Sequence, residues 1–174
     1  FSQNRVIFLD SDGRQELLKF IHLQDWVITN PVFLLDNIDA FVFDFDGVLT
    51  NNLVHLDQDG KESVSCSRAD GLAFDVLRKL NKSSYILSTE KNTVVTARAD
   101  KLGIPVLQGV GDKVRDIHKL ALKEGFDLQD VLYVGNDLND YRVMQLCGYK
   151  VCPSDSHELI KTIANVVLKT KGGY

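Results

Sequence analysis

The fold is decided by the stretch Phe41-Val42-Phe43-Asp44-Phe45-Asp46-Gly47-Val48-Leu49-Thr50. Its apolar first half is typical of a strand that is buried on both faces of a parallel sheet. Residues at alternate positions of a strand point to the same side, so Asp44 and Asp46 address one spot where the chain leaves the strand. Asp46-Gly47 is also a common turn signal, and the functional interpretation therefore depends on the rest of the chain.

The 174-residue length fits one domain with a proper core. The chain has 20 Lys and Arg residues and 24 Asp and Glu residues, which gives a net charge of −4. This charge does not indicate binding to nucleic acid or to an anionic membrane. The three cysteines are widely spaced, which argues against a disulfide framework and favours a reducing, cytoplasmic setting. No apolar run approaches the length of a membrane span.

Residues 1–38 read as a leader with its own short strand, Arg5 to Leu9, and a helix, Gln15 to Trp26. Pro31 then breaks the pattern. We expect this leader to be the tail of an upstream domain, because its elements are separate from the pattern that follows and the sequence lacks an initiator Met. Residues 39–174 form the predicted main domain.

The main domain alternates apolar segments with helix-period segments, which predicts an α/β Rossmann-like parallel sheet with helices on both faces. The strand neighbours predicted for 41–45 are 85–87, 106–107 and 131–134, and helices are predicted around 73–80, 95–102 and 114–121. A β-hairpin flap breaks the alternation. Its strands, 53–56 and 62–66, flank an Asp-Gly turn directly after the aspartate pair.

Polar residues follow each predicted strand, at the edge where doubly wound sheets bind ligands. These residues are Asp44 and Asp46 after the first strand, Ser88 and Thr89 after the second, Gly109 to Lys113 after the third, and Gly135 to Asp140 after the fourth. Each group alone is also typical of an ordinary helix cap or turn. Their occurrence in order at four strand ends favours one shared site.

Phosphoryl transfer to a carboxylate needs this set of groups. Asp44 suits the nucleophile that forms an aspartyl-phosphate, and Asp46 suits the acid that protonates the leaving oxygen and later activates water. Two carboxylates facing a phosphate need a Mg²⁺ ion between them. A hydroxyl and a lysine would hold the remaining phosphate oxygens.

These motifs resemble the haloacid dehalogenase superfamily. The resemblance rests on Phe43 to Thr50, Ile86 to Ser88, Lys113 and Gly135 to Asp140, and it covers the chain from about residue 39 onward. Within the superfamily, the flap, the absence of a large cap, and the Gln108-Gly109, Asp112-Lys113 and Gly172-Gly173 pairs resemble the Kdo 8-phosphate phosphatase group. That group includes the phosphatase-like C-terminal domains of some acylneuraminate cytidylyltransferases.

The resemblance implies a Mg²⁺-dependent phosphomonoesterase for a small keto-sugar acid phosphate of the Kdo 8-phosphate or acylneuraminate 9-phosphate type. It assigns phosphate binding to Ser88 and Lys113 and support of Lys113 to Asp140. Arg68 and Asp70 would stand at the substrate entrance. It also implies a homotetramer whose subunits close one another's open pockets.

The metal ligands implied by the resemblance are Asp44, Asp46 through its backbone carbonyl, Asn136 and Asp137. The family usually has Asp where this chain has Asn136, so we expect Mg²⁺ to bind more weakly. This departure keeps an alternative open, a non-catalytic oligomerisation domain in an acylneuraminate cytidylyltransferase-type fusion. The intact Asp44 and Lys113 speak against that alternative.

Overall fold

The computed structural model describes residues 27–28 and 35–174, and their main feature is a seven-stranded sheet. The sheet order is β1-β9-β8-β7-β2-β5-β6, and every pairing is parallel except that of β1 with β9. The sheet strands are β1 Val27–Ile28, β2 Ala40–Phe43, β5 Ser83–Leu87, β6 Val106–Leu107, β7 Val131–Val134, β8 Tyr149–Cys152 and β9 Val166–Val167.

Five α-helices in the described residues cover the two faces of the sheet. Buried side chains of α1 and α2 share one core cluster with Phe41 and Phe45, whereas those of α3, α4 and α5 share a second cluster with Ala40 and Val42. The β2 side chains thus alternate between the two cores, as expected for a central parallel strand. The helices are α1 Ala69–Lys79, α2 Val94–Leu102, α3 Lys113–Glu124, α4 Leu138–Leu146 and α5 Glu158–Ile163.

Strand β2 lies at the point where the chain reverses its direction of travel across the sheet. From β2 the chain moves to β5 and β6 on one side, then returns to β7 and β8 on the other. Phe43 is in register with both Ile86 and Val134, so these three parallel strands end at the same level. A ligand crevice forms at such a switch point, beyond the carboxyl ends of the strands.

The flap is an antiparallel hairpin made of β3 His55–Leu56 and β4 Glu62–Ser63. Its turn is closed by a hydrogen bond from the Asp57 N–H to the Lys61 carbonyl. The strands are shorter than the sequence pattern predicts, and their side chains are exposed. Besides the strand pairing, a hydrogen bond from Asn92 Nδ2 to Glu62 Oε2 at 3.1 Å ties the flap to the segment after β5.

The predicted α/β fold with a parallel sheet and helices on both faces is confirmed. The predicted strand Arg5 to Leu9 and helix Gln15 to Trp26 lie outside the described residues. Two residues of the leader form β1 at the sheet edge, and Leu35 and Ile38 pack in the core. The domain boundary at residue 38 stays a prediction. Among the described residues, no helix has the length and apolarity that a bilayer crossing requires.

Burial of the cysteines gives a direct check of this fold. Cys147 and Cys152 are fully buried, and burial raises their thiol pKa values to about 12 and about 11. Cys66 is half-buried at the base of the flap, where burial also raises its pKa.

In Ellman's assay at pH 8 we expect the native protein to react at Cys66 alone, because the thiolate is the reactive form. Denaturant should release all three thiols, and Cys66→Ser should abolish the native reaction. A second thiol that reacts in the native protein would contradict the packing of α4 and β8.

Candidate active site

The candidate site begins where β2 ends and the chain turns through residues 44–52, here called the catalytic loop. The Asp44 N–H donates to the Val134 carbonyl of β7, which fixes the start of the loop against the sheet. The Phe45 carbonyl then accepts from the N–H groups of Val48, Leu49 and Thr50. The loop is therefore a tight turn rather than an open excursion.

A buried lysine lies between two buried carboxylates at the centre of the site. Lys113, the first residue of α3, places Nζ 2.8 Å from Asp44 Oδ1 and 2.7 Å from Asp140 Oδ1. Asp44 Oδ1 also accepts from the Phe45 N–H at 2.7 Å. Burial lowers the pKa of Lys113, but the two carboxylates outweigh burial and the net pKa is raised. The lysine therefore remains an ammonium group at neutral pH.

Asp140 is the fixed member of this pair of carboxylates. Its Oδ1 also accepts from the Tyr133 hydroxyl at 2.8 Å, and its Oδ2 accepts from the Asn136 N–H at 2.9 Å. Asp140 further completes a capping box with Asp137 at the start of α4. A carboxylate with this many donors is held in one rotamer, and it can orient Lys113.

Asp44 is less well compensated than Asp140. Burial raises the pKa of the Asp44 carboxyl to about 8, and the negative charge of Asp140 adds to this, while Lys113 opposes it. One ammonium shared by two carboxylates only partly compensates an ionised Asp44 in this buried place, so Asp44 keeps its proton to a higher pH than an exposed aspartate does. The site is therefore suited to taking up a cation or an electrophile beside Asp44.

Asp46 lies half-buried in the turn, two residues after Asp44. Burial raises its pKa, and the nearby carboxylates of Glu90 and Glu62 raise it further. Thr50, which is fully buried, opposes this by hydrogen bonding to Asp46, and its Oγ1 also accepts from the Gly47 N–H at 3.1 Å. A carboxyl with a raised pKa holds its proton closer to neutral pH, which suits a general acid.

Ser88 stands at the end of β5, next to the catalytic loop in the sheet order. Only 1% of its surface is exposed, and its Oγ accepts from the Glu90 N–H at 3.1 Å. Its own N–H donates to the Leu107 carbonyl at 2.9 Å. Because Oγ accepts this bond, the hydroxyl proton of Ser88 is left to donate to another acceptor, such as an anion.

The described residues contain no cluster of three His, Cys, Asp or Glu side chains that could hold a metal ion. A metal here would need amide or backbone oxygens among its ligands. Asn136 Oδ1 is such an oxygen, because it is buried and has no hydrogen-bond partner. The Asn136 side chain lies against Gly47, where any Cβ would overlap its amide group. This unpartnered oxygen follows β7, which pairs with the strand that Asp44 follows, and an amide oxygen there fits a hard divalent cation.

The other predicted ligand and entrance residues are placed as follows. The Asp137 side chain is exposed and caps α4 by accepting from the Leu138 N–H at 2.7 Å. Arg68 is exposed at the start of α1. Asp70 is engaged by Arg98 of α2 at 3.1 Å, and burial raises the pKa of Asp70 despite this partner. The roles predicted for Asp137, Arg68 and Asp70 stay predictions.

Comparison with known families gives this geometry a context. Residues 79–172, more than half of the chain, match the model of the haloacid dehalogenase-like hydrolases. The chain is 31% identical over 138 residues to 3-deoxy-D-manno-octulosonate (Kdo) 8-phosphate phosphatase of Yersinia pestis, covering 79% of this chain and 74% of that protein. The chain belongs to the haloacid dehalogenase-like hydrolases. Its resemblance to the Kdo 8-phosphate phosphatase group and its predicted class, a phosphatase, are confirmed.

Solved structures of this hydrolase family have the same fold. A putative family member from Streptomyces avermitilis is 43% identical, with a TM-score of 0.78 and coverage of 80% of each chain. Kdo 8-phosphate phosphatase from Moraxella catarrhalis, solved with magnesium, phosphate and Kdo, is 26% identical, with a TM-score of 0.76 and the same coverage.

Sequence analysis missed several residues of this hydrolase site. Tyr133 is the second last residue of β7, where its apolar ring predicts core packing alone, yet its hydroxyl supports Asp140. Glu90 could have been found, because it is a carboxylate two residues after Ser88, at a strand end where ligands bind in such sheets. Arg98 bonds to the Ser67 carbonyl as well as to Asp70, and helix periodicity gives no signal for such a distant contact.

The raised pKa of Asp44 has a measurable consequence for the stability of the protein. A carboxyl whose pKa is raised in the folded state stabilises the protein at low pH, and this contribution is lost as the pH rises through the folded pKa of about 8. Asp44→Asn removes the charge and keeps the shape. In EDTA, we expect the Tm of Asp44→Asn to exceed that of the natural protein by at least about 2 °C at pH 9, and by less at pH 6.

Asp100→Asn is the matched control, because Asp100 is an exposed aspartate of α2. Its Tm difference from the natural protein should not depend on pH between 6 and 9. A Tm difference for Asp44→Asn that shrinks as the pH rises would contradict the electrostatic description of the site.

Proposed function

We propose that this chain is a Mg²⁺-dependent phosphomonoesterase that releases phosphate from a small keto-sugar acid phosphate through an aspartyl-phosphate. The observation that carries this proposal is the buried Lys113 ammonium held between Asp44 and Asp140. This arrangement presents one carboxylate, at the mouth of the crevice, that its partners only partly neutralise. It is suited to attack on a phosphorus atom that arrives with a cation.

Asp44 is the nucleophile in this proposal. Its Oδ1 is held by Lys113 and by the Phe45 N–H, so we assign the attack to Oδ2. A bond forms between Oδ2 and phosphorus while the bond from phosphorus to the sugar oxygen breaks. Water then attacks the aspartyl-phosphate, which releases inorganic phosphate and restores the carboxylate.

Asp46 is the general acid of the first half-reaction and the general base of the second. Its raised pKa keeps a proton available for the departing sugar oxygen, and the resulting carboxylate takes a proton from the attacking water. Thr50 holds the turn between Gly47 and Asn52 by accepting from both N–H groups.

The phosphate oxygens are bound by Ser88 through its hydroxyl and by Lys113 through its ammonium group. Lys113 is kept charged by Asp44 and Asp140, and it is fixed by the latter. A positive group in a buried place stabilises the charge that develops on the transferring phosphoryl group. Asp140 therefore acts through Lys113 and not on the substrate.

The residues that would hold Mg²⁺ are Asp44 through its carboxylate, Asp46 through its backbone carbonyl, and Asn136 through its unpartnered amide oxygen. Asp137, which lies next to Asn136, completes the predicted set. When bound, Mg²⁺ neutralises charge between the phosphate and the two aspartates. An amide ligand brings less charge than a carboxylate, so we propose a modest affinity.

The substrate class follows from the relatives and from the rim of the site. The Yersinia pestis relative is named for Kdo 8-phosphate. In this chain, Glu62 and Glu90 near Asp46 offer acceptors for sugar hydroxyls, and exposed Arg68 offers a cation for an acid group. The small flap leaves the crevice open, and we propose that a homotetramer closes it.

The competing hypothesis, a non-catalytic oligomerisation domain, has less support. An assembly domain has no use for a lysine buried between two carboxylates, because burying such charges costs several kcal/mol per ion. Lys113, Asp44 and Asp140 are all nearly or fully buried. The unfavourable free energy of burying these three charges is expected where the charges take part in a reaction.

Phosphate release from Kdo 8-phosphate and an acylneuraminate 9-phosphate, measured with Mg²⁺, tests the proposed reaction. We expect Asp44→Asn to lower kcat by about 10³-fold or more, since the nucleophile is lost. EDTA should abolish release and added Mg²⁺ should restore it. Asp100→Asn should keep the activity of the natural protein. Equal activity of Asp44→Asn and the natural protein would rule out the aspartyl-phosphate.

Asn136→Asp tests the proposed metal ligand without an activity assay. The substitution keeps the shape that fits against Gly47 and replaces an amide oxygen by a charged one. We expect the variant to be less stable than the natural protein in EDTA, because it adds a buried charge beside Asp44. Saturating Mg²⁺ should raise its Tm by more than it raises that of the natural protein, with a lower half-saturating concentration.

Asp130→Asn, near the opposite end of β7, is the control for a general effect of charge. Its response to Mg²⁺ should match that of the natural protein. An Asn136→Asp variant whose half-saturating Mg²⁺ concentration is unchanged would remove Asn136 from the metal site.

A further inference from the structure

The segment Gly172-Gly173 lies directly against the catalytic loop. The Gly173 N–H donates to the Val48 carbonyl at 3.0 Å, and the Gly172 N–H donates to Asp155 Oδ1 at 3.1 Å. Asp155 lies in the turn that follows β8, so the segment joins two strand ends. These bonds leave the two glycines as a short strap across the outside of the loop.

The fit between this strap and the loop excludes side chains. A Cβ on Gly172 would overlap the Gly47 carbonyl oxygen, and a Cβ on Gly173 would lie 2.5 Å from the Asn51 N and the Thr50 carbonyl carbon. Gly173 also has a φ of +74°, which side chains rarely permit. The obstructing atoms are backbone, so they cannot move aside as the end of a flexible side chain can.

The contact continues inward from the loop to the proposed metal ligand. The carbonyl of Gly47 touches the strap, and the α-carbon of Gly47 faces the Asn136 side chain so closely that no Cβ would fit. Asn136 Oδ1 is among the few buried side-chain oxygens of the described residues that have no hydrogen-bond partner. The strap, Gly47 and Asn136 thus form one packed series that runs from the surface to the site.

We propose that Gly172-Gly173 is a positioning element that sets the catalytic loop and, through Gly47, the Asn136 amide. It acts on the backbone of residues 47–51, so its effect reaches the Asp46 carbonyl as well. The effect on catalysis rests on the proposed function. The effect on the loop itself rests only on the contacts described above.

The test compares two glycines that are crowded in the same way. Gly148→Ala is the matched control, because a Cβ there would overlap the Gln129 carbonyl oxygen. Gly148 precedes β8, whereas the catalytic loop follows β2, so the two lie at opposite ends of the parallel sheet.

We expect Gly172→Ala and Gly148→Ala to lower the Tm to a similar extent. At a temperature where both variants are folded, Gly172→Ala should lower kcat on the preferred sugar phosphate by about tenfold or more, with a smaller change in KM. It should also speed hydrogen–deuterium exchange in residues 44–52. Gly148→Ala should keep kcat within about twofold and leave exchange in residues 44–52 unchanged.

A second pair of variants adds no volume and covers the case in which Gly172→Ala does not fold. Asp155 is exposed, so Asp155→Ala removes the acceptor of the Gly172 N–H with little other disturbance. It should speed exchange in residues 44–52 in the same direction, and Asp155→Asn, which keeps an accepting oxygen, should restore the natural rate.

The two proposals fail in different ways. If the natural protein releases no phosphate, the proposed function fails. Hydrogen–deuterium exchange in residues 44–52 then still tests whether Gly172-Gly173 positions the catalytic loop. If residues 44–52 exchange equally in Gly172→Ala and Gly148→Ala, or if Asp155→Ala leaves their exchange unchanged, the strap is only structural and the positioning proposal is wrong.

Discussion

The site depends on one ammonium group that two buried carboxylates share. Lys113 is held by Asp44 and Asp140 at the edge of the sheet where β2 and β7 end. Taking three charges out of water is unfavourable unless the remaining polar atoms find partners. Asp140 finds them in Tyr133 and in the N–H of Asn136, whereas Asp44 has a single backbone donor in addition to Lys113. The asymmetry assigns the two aspartates different chemistry although both contact the same lysine.

This asymmetry explains why the centre is not simply a stabilising ion pair. A cluster in which every carboxylate had its own cation would be electrically neutral and would have little affinity for a charged ligand. Here one ammonium serves two carboxylates, so an ionised Asp44 would be only partly compensated, and burial together with the charge of Asp140 raises its pKa to about 8. In the proposed function, a divalent cation that arrives with the phosphate would supply positive charge and favour the ionised form. Stability is therefore lower without ligand, which is the usual relation between a preorganised site and its fold.

The sequence predicts the fold and the groups at the site well because both follow from local patterns. Alternation of apolar and helix-period segments predicts the parallel strands, and parallel strands bring Asp44, Ser88 and Asn136 to one edge. The hydroxyl of Tyr133 and the charge of Arg98 were missed for a physical reason. Each acts through a contact with a residue on another element, and no periodicity encodes which side chain will meet which. The predicted leader elements of residues 1–26 and the tetramer are not tested by this structure.

The glycines around the catalytic loop show a second kind of information that local patterns do not carry. A single glycine predicts a turn or a close approach, but it does not tell what approaches. In the folded chain the approaching groups are the Asn136 amide at Gly47 and the catalytic loop at Gly172-Gly173. Each approach is between backbone and a group of the site, where even one methyl group would force a displacement. In the proposed function these contacts would affect the chemistry as well as the fold, because transition-state stabilisation is sensitive to displacements of about 1 Å. The geometry of the candidate site therefore depends on Gly47, Gly172 and Gly173, where no side chain fits, as well as on Asp44 and Asp46 of the motif.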